Sequence, residues 1–135
     1  MKIELIAPCG MNCRLCYAQQ REKNKCGGCR GEGAALPNSC LRCIIRNCPT
    51  IQNNASGFCY ECDRYPCRRV KDLDKRYRTK YHMSMLENLE VIKNDDIDVF
   101  LEHEEKRWTC STCGHIVCVH RDVCPNCQSQ VIFVD

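Results

Sequence analysis

The sequence predicts a small, metal-stapled α+β fold: an irregular, knuckle-rich N-terminal lobe, a short helical middle and C-terminal hairpins. Sixteen of the 135 residues are cysteine, about 12%, a level that marks a cross-linked or metal-stapled scaffold. Those cysteines supply over a quarter of the residues counted as hydrophobic, beside one Trp and three Phe, so the ordinary core is thin and small lobes need staples. The cysteines are also zoned. Residues 1–67 hold eleven, 68–107 none and 108–135 five, which sets the expected division into a metal-binding lobe, a helical segment packed on it and a ribbon.

Spacing and compartment choose metal over disulfide. The opening "MKIELIAPCG" is too short and too interrupted for the hydrophobic region of a signal peptide, and no apolar run reaches membrane length. A reducing cytosol is the expected setting, with no membrane association, and there C-x2-C pairs read as metal ligands. The formal charge of +3 assumes neutral thiols; sixteen thiolates on four divalent ions would lower it by eight, to about −5. A polyanion partner is therefore not implied by net charge.

The N-terminal lobe opens with "APCGMNCRLC", residues 7–16, in which Cys9, Cys13 and Cys16 have the C-x3-C-x2-C spacing that radical S-adenosylmethionine enzymes use for a [4Fe-4S] cluster. The barrel that houses that chemistry takes about 250 residues when complete. The chain is too short and too interrupted by cysteine to build it. Next comes "KCGGCRG", where Gly27 and Gly28 permit a tight turn between Cys26 and Cys29 and no G-K-[ST] ending makes a phosphate loop. A repeat then follows: Cys40, Cys43 and Cys48 each lie 19 residues before Cys59, Cys62 and Cys67, implying two similar turn-plus-ligand units. One partition joins Cys13/Cys16 with Cys26/Cys29 and Cys40/Cys43 with Cys59/Cys62, leaving Cys9, Cys48 and Cys67 as buried thiols, ligands of a third metal or bridges. Three thiolates and an open position would equally suit a [4Fe-4S] cluster.

The middle zone reads as helices. Val70, Leu73, Tyr77 and Tyr81 recur at helical spacing; Ser84 with Glu87 forms a capping box ahead of Leu86, Leu89 and Ile92; Asp95 or Asp96 can cap a third helix carrying Ile97, Phe100 and Leu101 toward Trp108. Residues 68–82 hold seven Lys/Arg against two Asp, while 84–105 hold one Lys against eight acids. Arg68, Arg69, Lys71, Lys75, Arg76, Arg78 and Lys80 keep a nucleic-acid surface open as a reading, with opposed helix charges as the plainer one.

The last zone carries the most specific signal. Cys110 and Cys113 in "CSTCG" and Cys124 and Cys127 in "CPNC" give C-x2-C-x10-C-x2-C, with "HIVCVH" and "QVIFVD" read as strands. Each pair presents two sulfurs from one turn, and two such knuckles complete a four-cysteine zinc site of ribbon or rubredoxin-like type. His115, Cys118 and His120 fall inside this stretch and stay outside the ligand list. The expected cofactor is Zn2+ at three to four sites, with [4Fe-4S] in the N-terminal lobe as the alternative.

No catalytic constellation is legible. The first histidine is His82, neither H-E-x-x-H nor the zinc-deaminase signature H-x-E followed by P-C-x-x-C occurs in the sequence, and a closed all-thiolate zinc is a poor Lewis acid. Together "CGMNCRLC", "KCGGCRG", "CYEC" and "YPCRRVKDLDKRYRTKYHMSMLENLE" resemble the DUF3795 family, small prokaryotic cysteine-rich proteins of unknown function, over residues 5–102, with the ribbon as an appended module. The resemblance implies a bacterial or archaeal cytosolic protein that binds zinc, and it brings no reaction. The expected function is a non-catalytic zinc-binding interaction module with another protein as partner. Its rivals are an iron–sulfur protein for electron transfer or redox sensing and a nucleic-acid-binding zinc protein.

Overall fold

The structure, a computed structural model, describes residues 1–31 and 36–131. It is small, mostly helical and rich in cysteine clusters. Three short helices lie in the N-terminal half, α1 (Tyr17–Gln20), α2 (Asn38–Leu41) and α3 (Pro49–Asn53), with 3-10 turns at Ile3–Leu5, Cys13–Leu15 and Cys59–Glu61. Three longer ones follow, α4 (Arg68–Lys80), α5 (Met85–Asp95) and α6 (Ile97–Arg107).

Each long helix has a sequence reason for its limits. Ser84 caps α5 by accepting the Glu87 N–H at 3.2 Å, the first half of the capping box. Asp96, at φ +106°, separates α5 from α6 and accepts the Asp98 N–H at 3.4 Å. On α4, Val70 and Asp74 are buried, Leu73 and Tyr77 half-buried and the basic residues exposed, the amphipathic pattern of a helix resting one stripe on a core. Helix α5 packs against both α4 and α6 and against the Cys59–Glu61 turn.

The main core draws on all three zones of the sequence. Leu5, Ile6 and Leu15 meet Val70, Met85 and Leu89 from the helices and Trp108, Val117 and Val119 from the last segment. Cysteines complete it: Cys9, Cys13, Cys59, Cys110 and Cys124 are buried members. A second, smaller cluster holds Ala18, Cys26 and Leu36, with Cys16 and Cys40 packed on it.

The expected C-terminal hairpins are not present as strands. Among the described residues pairing is confined to isolated antiparallel bridges, Ile6 with Asn12, Thr109 with Ile116 and Val123 with Gln130. The reason lies in where the backbone donors of "HIVCVH" go. The Val117 N–H donates to the Trp108 carbonyl at 2.9 Å and the Val119 N–H to the Leu15 carbonyl at 2.9 Å, so the segment is tied to the end of α6 and to the N-terminal lobe instead of to a sister strand. The end of "QVIFVD", residues 132–135, lies outside the described residues. The α+β expectation is thus corrected to a helix-dominated fold. No helix among the described residues is long and apolar enough to cross a membrane.

Candidate metal centre

The last zone folds as two copies of one turn. In the first, the Gly114 N–H donates to the Cys110 carbonyl at 2.9 Å and the Cys110 N–H to the His115 carbonyl at 2.7 Å. In the second, the Gln128 N–H donates to the Cys124 carbonyl at 3.0 Å and the Cys124 N–H to the Ser129 carbonyl at 2.9 Å. Every partner is displaced by 14 residues, and so are the bridges that close the two loops. Gly114 and Gln128, at φ +78° and +65°, occupy the same left-handed position. Glycine takes that conformation freely; a Gln is uncommon there.

These knuckles bring four sulfurs together. The ligand atoms of Cys110, Cys113, Cys124 and Cys127 all lie within 4.8 Å of one another, with Cys110 to Cys127 and Cys113 to Cys124 at 3.7 Å. A disulfide would need about 2.05 Å. A tetrahedron with Zn–S arms of about 2.3 Å has edges of about 3.8 Å, so the sulfurs already stand at coordination distance. The donor set fits a four-thiolate ion.

Local donors prepare the sulfurs for a cation. The backbone N–H groups of Cys113 and Thr112 lower the Cys110 thiol to about 6, which favours the thiolate form that ligates metal. For Cys113 the Asn126 side chain leads, its Nδ2 donating at 3.4 Å, and the thiol is again lowered. Cys124 is instead raised by burial, against N–H groups from Cys127 and Asn126. Asn126 therefore serves both pairs, with its backbone N–H on Cys124 Sγ at 3.4 Å and its amide on Cys113 Sγ. The sequence reading missed it; its place inside "CPNC" is the available signal.

The N-terminal cysteines are less tightly drawn. Among the described residues the 4.8 Å closeness is reached at Cys110, Cys113, Cys124 and Cys127 alone. Cys13 Sγ accepts the Cys29 N–H at 3.4 Å, and Cys9, Cys13, Cys29 and Cys43 belong to or pack on the main core. Burial pushes the Cys9 and Cys13 thiols up to about 12 and Cys29 to about 11, with neighbouring sulfurs adding to the effect. Cys48, Cys59, Cys62 and Cys67 line one cleft of about 610 Å³ beside Arg68 and Arg69. Cys16, Cys26 and Cys40 share the smaller cluster. All sixteen cysteines are free thiols.

Three further residues of the last zone were set aside in the sequence. His115 is exposed and its Nδ1 lies 2.8 Å from the Ile116 carbonyl. His120 packs edge-on against Tyr17, Tyr77 and Tyr81, its Nε2 3.0 Å from the Tyr77 hydroxyl. Cys118 is 1% exposed.

Comparison with known proteins adds one match. Residues 5–72 fit the family model described as "Protein of unknown function (DUF3795)". The match ends inside α4, short of the expected residue 102, and the two knuckles lie outside it. No curated protein and no solved structure matches.

Proposed function

The chain belongs to the DUF3795 family, and from that premise we propose that it is a zinc-binding, non-catalytic interaction module whose shape is held by cysteine-ligated zinc and whose partner is another protein. One observation carries the reading: the sulfurs of Cys110, Cys113, Cys124 and Cys127 lie within 4.8 Å of one another, the spacing of a closed tetrahedral zinc site. Four thiolates fill such an ion's coordination shell, leaving no position for substrate or water and little Lewis acidity. The metal's role is then structural, and each ion can contribute an apparent folding free energy of about 10 to 16 kcal/mol.

On this reading residues 1–67 form the metal-binding lobe, 68–107 the helices resting on it and 108–135 an appended zinc ribbon. The setting is the reducing cytosol of a prokaryote, where these thiols stay available to metal. Helix α4 supports an interaction role, because Arg69, Lys71, Lys75 and Arg76 are exposed along it.

Elemental analysis with an ultraviolet-visible spectrum, on protein purified without oxygen, tests the proposal. About three to four zinc per chain and no visible absorption are expected. Broad absorption near 400 nm with about four iron per chain would replace it with the iron–sulfur alternative, seated in the N-terminal lobe.

A further inference from the structure

We infer that Cys118 joins Cys16, Cys26 and Cys40 in a second four-cysteine zinc site, which pins the C-terminal segment to the N-terminal lobe. The inference rests on the zinc reading above and goes beyond it by adding an unassigned ligand and by splitting the C-x2-C pairs between different ions.

The count points there first. Eleven cysteines in residues 1–67 do not divide into sets of four; with Cys118 they make twelve, and the ribbon takes the remaining four. Packing then separates the sets. Cys26 and Cys40 gather around Ala18 and Leu36 in the smaller cluster, Cys16 packs against both that cluster and the main core, and the Cys26 N–H donates to the Ala18 carbonyl at 2.9 Å, which seats the Cys26 turn against α1.

Cys118 is delivered to that cluster by the backbone on either side of it. The Val119 N–H donates to the Leu15 carbonyl, one residue before Cys16, at 2.9 Å. Gln20 Nε2 donates both to the Arg14 carbonyl at 2.8 Å and to the Val117 carbonyl at 3.0 Å. Val117 and Val119 are buried members of the main core while Cys118, between them and 1% exposed, is not. The two valines thus pack into the main core, while Cys118 is buried beside the segment that holds Leu15 and Cys16.

The partition that follows is interleaved. Of each pair, one member goes to this site (Cys16, Cys26, Cys40) and the other (Cys13, Cys29, Cys43) stays with Cys9 in the main core. Cys48, Cys59, Cys62 and Cys67 remain together at their cleft. A thiophilic divalent ion, zinc first, is the ligand class, and four thiolates would complete its tetrahedral shell. The four sulfurs lack the closeness seen in the ribbon, so loading would contract them.

Native mass spectrometry of the full zinc-loaded chain counts ions directly. Cys118→Ser is expected to lower the count by one, from about four per chain to about three, and Cys118→His, which keeps a ligand, to restore it. An unchanged count in Cys118→Ser would overturn the site while leaving the zinc reading intact. A wild-type chain with no bound metal would overturn both. If the variants fail to fold, cadmium-113 NMR on the wild-type chain decides: the Cys118 methylene protons should couple to the same ion as those of Cys16, Cys26 and Cys40. Coupling of Cys118 to another set, or to no ion, would overturn the inference.

Discussion

Asp74 accepts hydrogen bonds from Ser84 Oγ at 2.6 Å, Arg78 Nε at 2.6 Å and the Leu86 N–H at 3.1 Å. Burial raises its carboxyl, yet the bonds from Ser84, Leu86 and Arg78 outweigh burial and hold it below the ordinary value. A depressed folded-state pKa contributes stability that is present above the unfolded value of about 3.9 and is lost as pH falls through the folded one. Asp74→Ala should therefore cost about 2 to 3 kcal/mol at neutral pH, steady down to about pH 5 and shrinking below about pH 4. Urea titrations of both chains from neutral pH down to about pH 5, where thiolate-bound metal is retained, read this difference. A neutral-pH midpoint equal to wild type would contradict it. This network was invisible in the sequence, where Asp74 counted only as one of two acids in a basic stretch. The grouping of Cys110, Cys113, Cys124 and Cys127 was legible because thiol chemistry and a two-residue gap leave few other readings. Asn126 was not, since an amide acquires its role from what the fold sets beside it.

Turns and helices differ in how much of their geometry the sequence carries. Gly10 shows where tertiary contact decides. It sits at φ +92°, and a Cβ there would stand 2.9 Å from the Met85 carbonyl oxygen and 3.0 Å from Leu89 Cγ; its own carbonyl accepts from Asn88 Nδ2 at 2.9 Å. The Cys9–Cys13 turn is thereby docked on α5. Gly10→Ala should cost about 2 to 4 kcal/mol, combining left-handed strain with overpacking against backbone. Gly114→Ala, at φ +78° with open space around it, should cost only about 1 kcal/mol. Thermal unfolding of the two variants compares them, and a Gly10→Ala chain no less stable than Gly114→Ala would show that the turn does not dock as described. The capping box at Ser84 and the cap at Asp96 were readable because both act within three residues. The hairpins were misread because period-2 apolar patterning in "HIVCVH" signals an extended, half-buried segment without naming its partner, and here the partners are Trp108 and Leu15. The 14-residue relation between the knuckles was also there to be read, but Gln128 stands where a second glycine would have announced it.

Across the whole molecule, the cysteine-rich zones and the helices share one core, so on the proposed zinc reading the metal would be a condition of the helices as well as of the knuckles. The junction is visible at Trp108, the chain's one tryptophan. It is 1% exposed, its Nε1–H donates to Glu104 Oε2 at 2.9 Å, its carbonyl receives the Val117 N–H, and Cys110 follows two residues later. Helices α4 to α6 rest their apolar stripes on a core that counts Cys9, Cys13, Cys59, Cys110 and Cys124 among its buried members. Of these, Cys9, Cys13, Cys59 and Cys124 are raised by burial and so pack as small thiols when no metal is bound. Aliphatic contacts alone leave a thin core, of the size that seldom holds a small domain by itself. No length of sequence pattern could show this sharing, because each zone reads as self-contained until the contacts between zones are known. Removing zinc with a strong chelator should therefore do more than loosen residues 108–131: Trp108 emission should shift to the red, far-ultraviolet helical signal should fall, and both should return when zinc is restored. If the knuckles alone depended on metal, helical signal and a cooperative thermal transition would survive chelation while only the environment of Trp108 changed. The two outcomes separate a molecule stapled throughout from a helical body carrying one metal-dependent appendage.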